Sequence, residues 1–362
     1  MIMSIHESSR VLPYISTITK EVNDITLHVK EDAALHGLVL IIAILVTIFA
    51  STTGYTNSIS FFSYMYVMKL LAPVSLLVAV FGYFFILLFR REPRPIKCYW
   101  EKIKLIYSYR AKVISSFILL TSISIFMSCF STVKSLIPLI HPFSFDHLFH
   151  RMDLWLFGGV EPWRVIHSII TSPYILQAIN FCYNLWFFLM WAMLCYFLTC
   201  FPSKLRTRFF ISWILCWTVL GMIAATLLSS AGPVFMVRLE PGFENYDLLV
   251  QLLQDQNSWL KGKGWSELYS LNIQDILWEA YVDKKDMLGS GISAMPSMHV
   301  SIAVLMALVM NSANKKLGVV FGLYALVIFI GSIALGWHYA VDGIVSAPVT
   351  WLLWRVSGKV KC

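Results

Sequence analysis

The sequence predicts an all-α fold, a polytopic bundle of about eight membrane-spanning helices with both termini cytoplasmic. Three observations carry this. Hydrophobic residues make up 58% of the 362 positions and charged residues only 13%. The mean hydropathy is +0.71, too apolar for a disordered chain and too poor in charge to cover a soluble surface. Basic residues alternate in density from one connecting segment to the next, as expected when loops fall on opposite sides of a bilayer.

A spanning helix needs about 20 mostly apolar residues. Eight stretches qualify, some of them short: 34–51, 70–89, 113–131, 175–199, 209–230, 297–312, 317–336 and 338–354. The first begins too far in for a signal peptide, and no convincing cleavage pattern follows it. With the N-terminus inside, the cytoplasmic segments hold 19 Lys and Arg and the outer ones 9. Acidic residues run the other way, 7 inside against 13 outside. The strongest signal is the run from Arg90, Arg91 and Arg94 to Arg110 and Lys112. The net charge of +8 therefore reports topology, and no nucleic-acid partner is expected.

The chain divides into an N-terminal region, 1–131, with three spans, and a core, 132–362, with large outer segments at 132–174 and 231–296. The first outer segment suits one or two interfacial helices, and the second carries amphipathic patterns near 245–260 and 265–282. Residues 52–69 read as a short, aromatic, Ser-rich outer loop. Trp155, Trp163, Trp259, Trp265 and Trp278 suit an aromatic belt. The seven cysteines show no metal-type spacing and read as buried or lipid-facing thiols. His141, His147, His150 and His167 lack zinc spacing with supporting carboxylates, so neither metal nor cofactor is expected. Asp146 and Asp153, seven apart, suit helix caps or charge pairs better than a cation site.

Chemistry concentrates in two clusters at one predicted depth. The first is Ala294-Met295-Pro296-Ser297-Met298-His299, at the outer start of the sixth span; the second, Gly336-Trp337-His338-Tyr339-Ala340-Val341-Asp342, begins the eighth. His338 and Asp342 are four apart and share one helical face. A carboxylate on one imidazole nitrogen sets the tautomer and leaves the other nitrogen as a directed nucleophile or base. An Asp in a span is costly unless paired, and His338 is the evident partner. Pro296 and Ser297 suit a helix start, whose free N–H groups and dipole attract an anion. His299 lies within that first turn, placed to hand a proton to a leaving oxygen. The parts describe phosphoryl transfer: His338 attacks phosphorus, Asp342 orients it, Ser297 and its helix start help bind oxygens, and His299 protonates the departing group.

Pro296-Ser297-Met298-His299 and His338-x-x-x-Asp342, with the histidines 39 positions apart, resemble the second and third signatures of the type 2 phosphatidic acid phosphatase superfamily. Within it, the chain is similar to the branch that includes inositol phosphorylceramide synthases. Asp-x6-Asp-x3-Phe-Gly-Gly-x2-Pro-Trp from Asp146 to Trp163, and Ala231-Gly232-Pro233-Val234-Phe235, look like segments of that branch. The resemblance spans roughly 140–354 and implies metal-independent chemistry on lipid phosphate through a phosphohistidine.

The departures are specific. The superfamily's Lys-x6-Arg-Pro motif is missing, because Arg94-Pro95 has Leu87 at the Lys position and lies on the inner side. Gly331-Ser332 stands where Ser-Arg is usual, and Met298 where Gly is usual. The phosphate-binding cations of those motifs are thereby lost. Arg238, just after the Gly-Pro turn, is the first substitute expected, followed by Arg151 and Arg164. The expected function is an integral membrane phosphotransferase or phosphatase acting at the outer face on a lipid phosphate or phospholipid. A plain lipid phosphate phosphatase, a proton-coupled transporter using His338 and Asp342 as a relay, and an inactive scaffold are the alternatives. No Asn-x-Ser/Thr sequon occurs and no retention signal ends the chain, which favours a bacterial inner membrane with a periplasmic site over a Golgi or ER membrane with a lumenal one.

Overall fold

The computed structural model describes residues 19–240, 244–284 and 291–360. Every regular element among them is helical. After α1 (19–31) come α2 (Ala33–Thr52), α3 (Ser63–Phe89), α4 (Pro95–Ser108) and α5 (Arg110–Ile140). Then follow α6 (Asp146–Leu156), α7 (Pro162–Ile169), α8 (Pro173–Thr199) and α9 (Lys204–Leu227). The chain ends with α10 (Pro233–Leu239), α11 (Asp247–Gly262), α12 (Tyr269–Val282), α13 (Met298–Ala313), α14 (Lys315–Ala334) and α15 (Ala340–Ser357).

Among the described residues, six helices are long and apolar enough to cross a membrane: α2, α3, α5, α8, α9 and α14. The remaining two expected spans are the shorter apolar α13 and the 18-residue α15. The side chains of Val74, Leu76, Leu77 and Phe81 on α3 are exposed, the arrangement hydrocarbon solvent favours and water does not.

Prolines open α4, α7, α8 and α10, where the missing N–H leaves no intrahelical bond unmade. Aromatic pairs join the N-terminal region to the core. Phe126 meets Trp213 at 5.7 Å and Phe130 meets Trp217 at 4.5 Å between ring centroids, edge to face, tying α5 to α9. Arg206 is fully buried, donates to the Phe197 carbonyl at 2.9 Å and pairs with Asp32 at 3.0 Å, which docks the α1–α2 junction on α9.

The α13–α14 hairpin decides where the chemistry lies. Asn314 accepts from the backbone N–H of Lys316 and Leu317, so α14 starts at once after α13 ends. Sixteen residues down and twenty back are each about 24–30 Å of helix. The start of α13 and the start of α15 therefore share one end of the bundle. Ser301 and Thr350 hydrogen-bond at 2.7 Å, and Gly343 lets the Phe329 ring lie against the backbone, so α13, α14 and α15 pack closely.

Helices α7 and α12, from the two long connecting segments, cover this same end. His167 of α7 bonds the Ala334 carbonyl at 2.9 Å, Gln274 of α12 donates to the Leu335 carbonyl at 3.0 Å, and Ser270 donates to Asn180 of α8 at 2.8 Å. Two short helices, α6 and α7, lie between the end of α5 and the start of α8, and α11 and α12 match the two amphipathic patterns.

Three boundaries differ from expectation. α5 runs on to Ile140, unbroken across the 131/132 division, because Thr132 and Ser135 return their hydroxyls to helix carbonyls and mask the polarity that reads as a loop. α3 begins at Ser63, within the stretch read as a loop. The basic stretch after Arg94 folds as α4, an amphipathic helix whose polar face hides its periodicity from a hydropathy window.

Candidate active site

Three backbone segments converge at the covered end. Ser230 accepts from the Ala294 N–H through its carbonyl and from the Met295 N–H through its hydroxyl, at 2.9 and 3.0 Å. The Val234 N–H donates to the Gly336 carbonyl at 3.2 Å. The turn at 230–234 thus stitches the Ser-Met-His segment to the His-x-x-x-Asp segment. Only glycine fits its centre. Gly232 has φ +96°, and a Cβ there would stand 2.6 Å from the Trp337 carbonyl oxygen.

The two carboxylates of α6 anchor the same region. Asp153 accepts from the backbone N–H groups of Ala340 and Val341 at 2.7 and 2.9 Å, capping the free amides that open α15. Asp146 accepts from the N–H groups of Ala231 and Gly232 and from the Tyr339 hydroxyl, at 2.9, 2.8 and 3.0 Å. The Asp-x6-Asp spacing places both on one face of α6, reaching two segments. Their role is capping, as the spacing favoured. Burial pushes the Asp153 carboxyl up to about 7, against the opposing pull of its two N–H donors. Asp146 is raised for the same reason.

On this frame, Nδ1 of His338 lies 3.1 Å from Oδ2 of Asp342, and the Tyr339 N–H donates to that oxygen at 3.1 Å. With Nδ1 engaged by the carboxylate, Nε2 is the nitrogen left for the cavity. Ser297 caps α13 by accepting from the Val300 N–H, so its side chain is used within the helix start. His299, in that first turn, is held by two rings, Tyr183 at 4.5 Å and Trp186 at 4.3 Å. Its ring centroid is 6.1 Å from that of His338, with the planes at 63°.

Both histidines line one cavity of about 500 Å³. Its walls come from α5, α8, α9 and α12 as well as the two His segments, and they are chiefly aromatic and aliphatic. Asn184 and Ser270 add polarity, and Lys134 of α5 adds the one lysine or arginine among the described lining residues. Sequence reasoning took Lys134 for a topological charge. The signal that singles it out is a lysine about four-fifths of the way along a long, mostly apolar helix, far from the basic residues at its start.

The three expected arginines stand elsewhere. Arg238 pairs with Asp275 and lies over the Trp278 ring. Arg164 pairs with Glu161 at 2.8 Å and lies over Trp163. Arg151 is exposed on α6. None of them lines the cavity with the histidines.

A family model described as the PAP2 superfamily matches residues 147–356, more than half of the chain. No curated protein and no solved structure matches the chain.

Proposed function

The chain belongs to the PAP2 superfamily, and from that premise we propose that it is an integral membrane phosphotransferase or phosphatase acting on lipid-linked phosphate through a phosphohistidine. One observation carries the reading: two imidazoles 6.1 Å apart line one cavity, and the second has its Nδ1 held by a buried carboxylate. Nε2 of His338 attacks phosphorus with its lone pair, and the bond from phosphorus to the leaving oxygen breaks. Protonated His299 gives that oxygen its proton. Asp342 keeps the Nδ1 proton in place and balances the positive charge that grows on the ring. In the second half, a hydroxyl gives its proton to His299 and attacks phosphorus, and the phosphorus–nitrogen bond breaks.

Water as the acceptor makes the protein a phosphatase, and a polyol or lipid hydroxyl makes it a transferase. The similarity to the inositol phosphorylceramide synthase branch, together with the missing Lys-x6-Arg-Pro motif, favours transfer of a polar phospho-headgroup between lipids. The sequence topology puts the site on the outer face, periplasmic in a bacterial inner membrane or lumenal in a secretory membrane.

The test is release of water-soluble phosphate products from phosphatidic acid, polyprenyl diphosphate and phosphatidylinositol in detergent. Wild-type protein is expected to act on at least one, with inhibition by vanadate and no loss on adding a chelator. Uptake driven by a pH gradient without any such product would instead mark a transporter.

A further inference from the structure

On the proposed function the site receives a phosphoryl group, yet the cations that the superfamily signatures would supply are absent from the sequence. A phosphate oxygen in a low-dielectric cavity needs a countercharge. Among the described residues, the only lysine or arginine that lines the cavity with His299 and His338 is Lys134. The α5 backbone and the first side-chain carbons of Lys134 are closely backed. A Cβ on Gly291 would stand 2.9 Å from the Lys134 carbonyl oxygen and 3.1 Å from its Cγ. Gly291, with φ +100°, lets the segment leading to Ser293, Pro296 and His299 press against this part of α5. The lysine therefore leaves α5 beside the segment that presents His299.

We propose that Lys134, from a helix outside the family match, binds the non-bridging oxygens of the phosphoryl group held between His299 and His338. It takes over the work of the missing signature cations. The N-terminal region thereby contributes to the active site and is not only an anchor. The inference rests on the phosphoryl-transfer reading of that site. A lysine suits the task because its ammonium is a compact charge on a long stem, able to follow oxygens that shift as phosphorus inverts. Arg238, Arg164 and Arg151 do not line this cavity.

The experiment measures orthovanadate inhibition of wild type, Lys134→Met and Lys134→Arg in one detergent, on whichever phospholipid wild type turns over. Loss of one charge-assisted contact is expected to raise the vanadate concentration for half inhibition about tenfold or more in Lys134→Met. KM is expected to rise as well, and Lys134→Arg to recover part of the loss. Wild-type sensitivity in a folded Lys134→Met protein overturns the inference and leaves the phosphoryl-transfer reading standing. A wild type that neither turns over phospholipid nor responds to vanadate overturns both. Where Lys134→Met does not fold, the wild type decides: vanadate should protect Lys134 from an amine-reactive reagent, read by peptide mass spectrometry. Equal labelling with and without vanadate overturns the inference.

Discussion

His299 and His338 face one another across the cavity with ring centroids 6.1 Å apart and planes inclined at 63°. That spacing leaves room for one tetrahedral phosphorus between a nitrogen of each ring and is too wide for a direct hydrogen bond between them. Nothing close in sequence brings them together. The α13–α14 hairpin returns the chain, and Asp153 and the Gly232 turn hold the two segments in register.

The proposed mechanism gives the two histidines unequal roles, so they should fail unequally. His338→Ala is expected to abolish turnover, since Nε2 of His338 is the nitrogen that the proposed mechanism gives to phosphorus, with Nδ1 held by Asp342. His299→Ala is expected to slow it by about 10²–10⁴, the usual worth of a positioned general acid. Steady-state rates on a common lipid substrate check both.

Asp342→Asn keeps the size of the side chain and removes the charge that holds Nδ1 of His338. Turnover should fall by about a hundredfold or more, with KM little changed, because the loss falls on the tautomer and the developing charge and not on binding. A KM effect alone would count against the orienting role.

Gly232→Ala should fold poorly. The added Cβ meets the Trp337 carbonyl oxygen at 2.6 Å, and the backbone stands at φ +96°. A left-handed alanine alone costs about 1–2 kcal/mol, and the contact adds to it. Thermal unfolding in detergent should show a clear drop in Tm, whereas an unchanged Tm would show that the turn can give way.

Asp153 is expected to give stability a pH dependence of its own, apart from the two histidines. Its carboxyl is raised to about 7 in the fold, above the ordinary 3.9 or so, because burial disfavours its charge. A group raised in this way supports the native state fully below about pH 4 and loses that contribution as pH climbs through about 7. Asp153→Asn should lower Tm, since an amide cannot accept with both ends from Ala340 and Val341, and should flatten the decline of Tm between pH 4 and 7. Melting curves across that range measure both effects.

Much of this was legible in the sequence because membranes impose simple rules. The apolar runs mark α2, α8, α9, α13, α14 and α15 closely, since hydrocarbon leaves few other choices. The i, i+4 spacing of His338 and Asp342 already implies their contact. Asp146 and Asp153 suggested caps, but their targets, the turn at Gly232 and the start of α15, lie far along the chain and follow only from tertiary packing. Tyr183 and Trp186 gave no sign of holding His299, because aromatics are common throughout α8. Lys134 was counted for its charge and not its position, whereas Arg238, just after the Gly-Pro turn, and Arg164 pair with carboxylates outside the cavity.

The central claim is that His338 takes the phosphoryl group covalently. The direct measurement is a rapid quench into base of wild-type protein turning over its lipid substrate, followed by peptide mass spectrometry under alkaline conditions that preserve phosphorus–nitrogen bonds. The account predicts one added phosphoryl-bearing group on the peptide containing His338, lost on brief acid treatment and absent in His338→Ala. Steady turnover with that peptide always unmodified, or with the group on another residue, would contradict it.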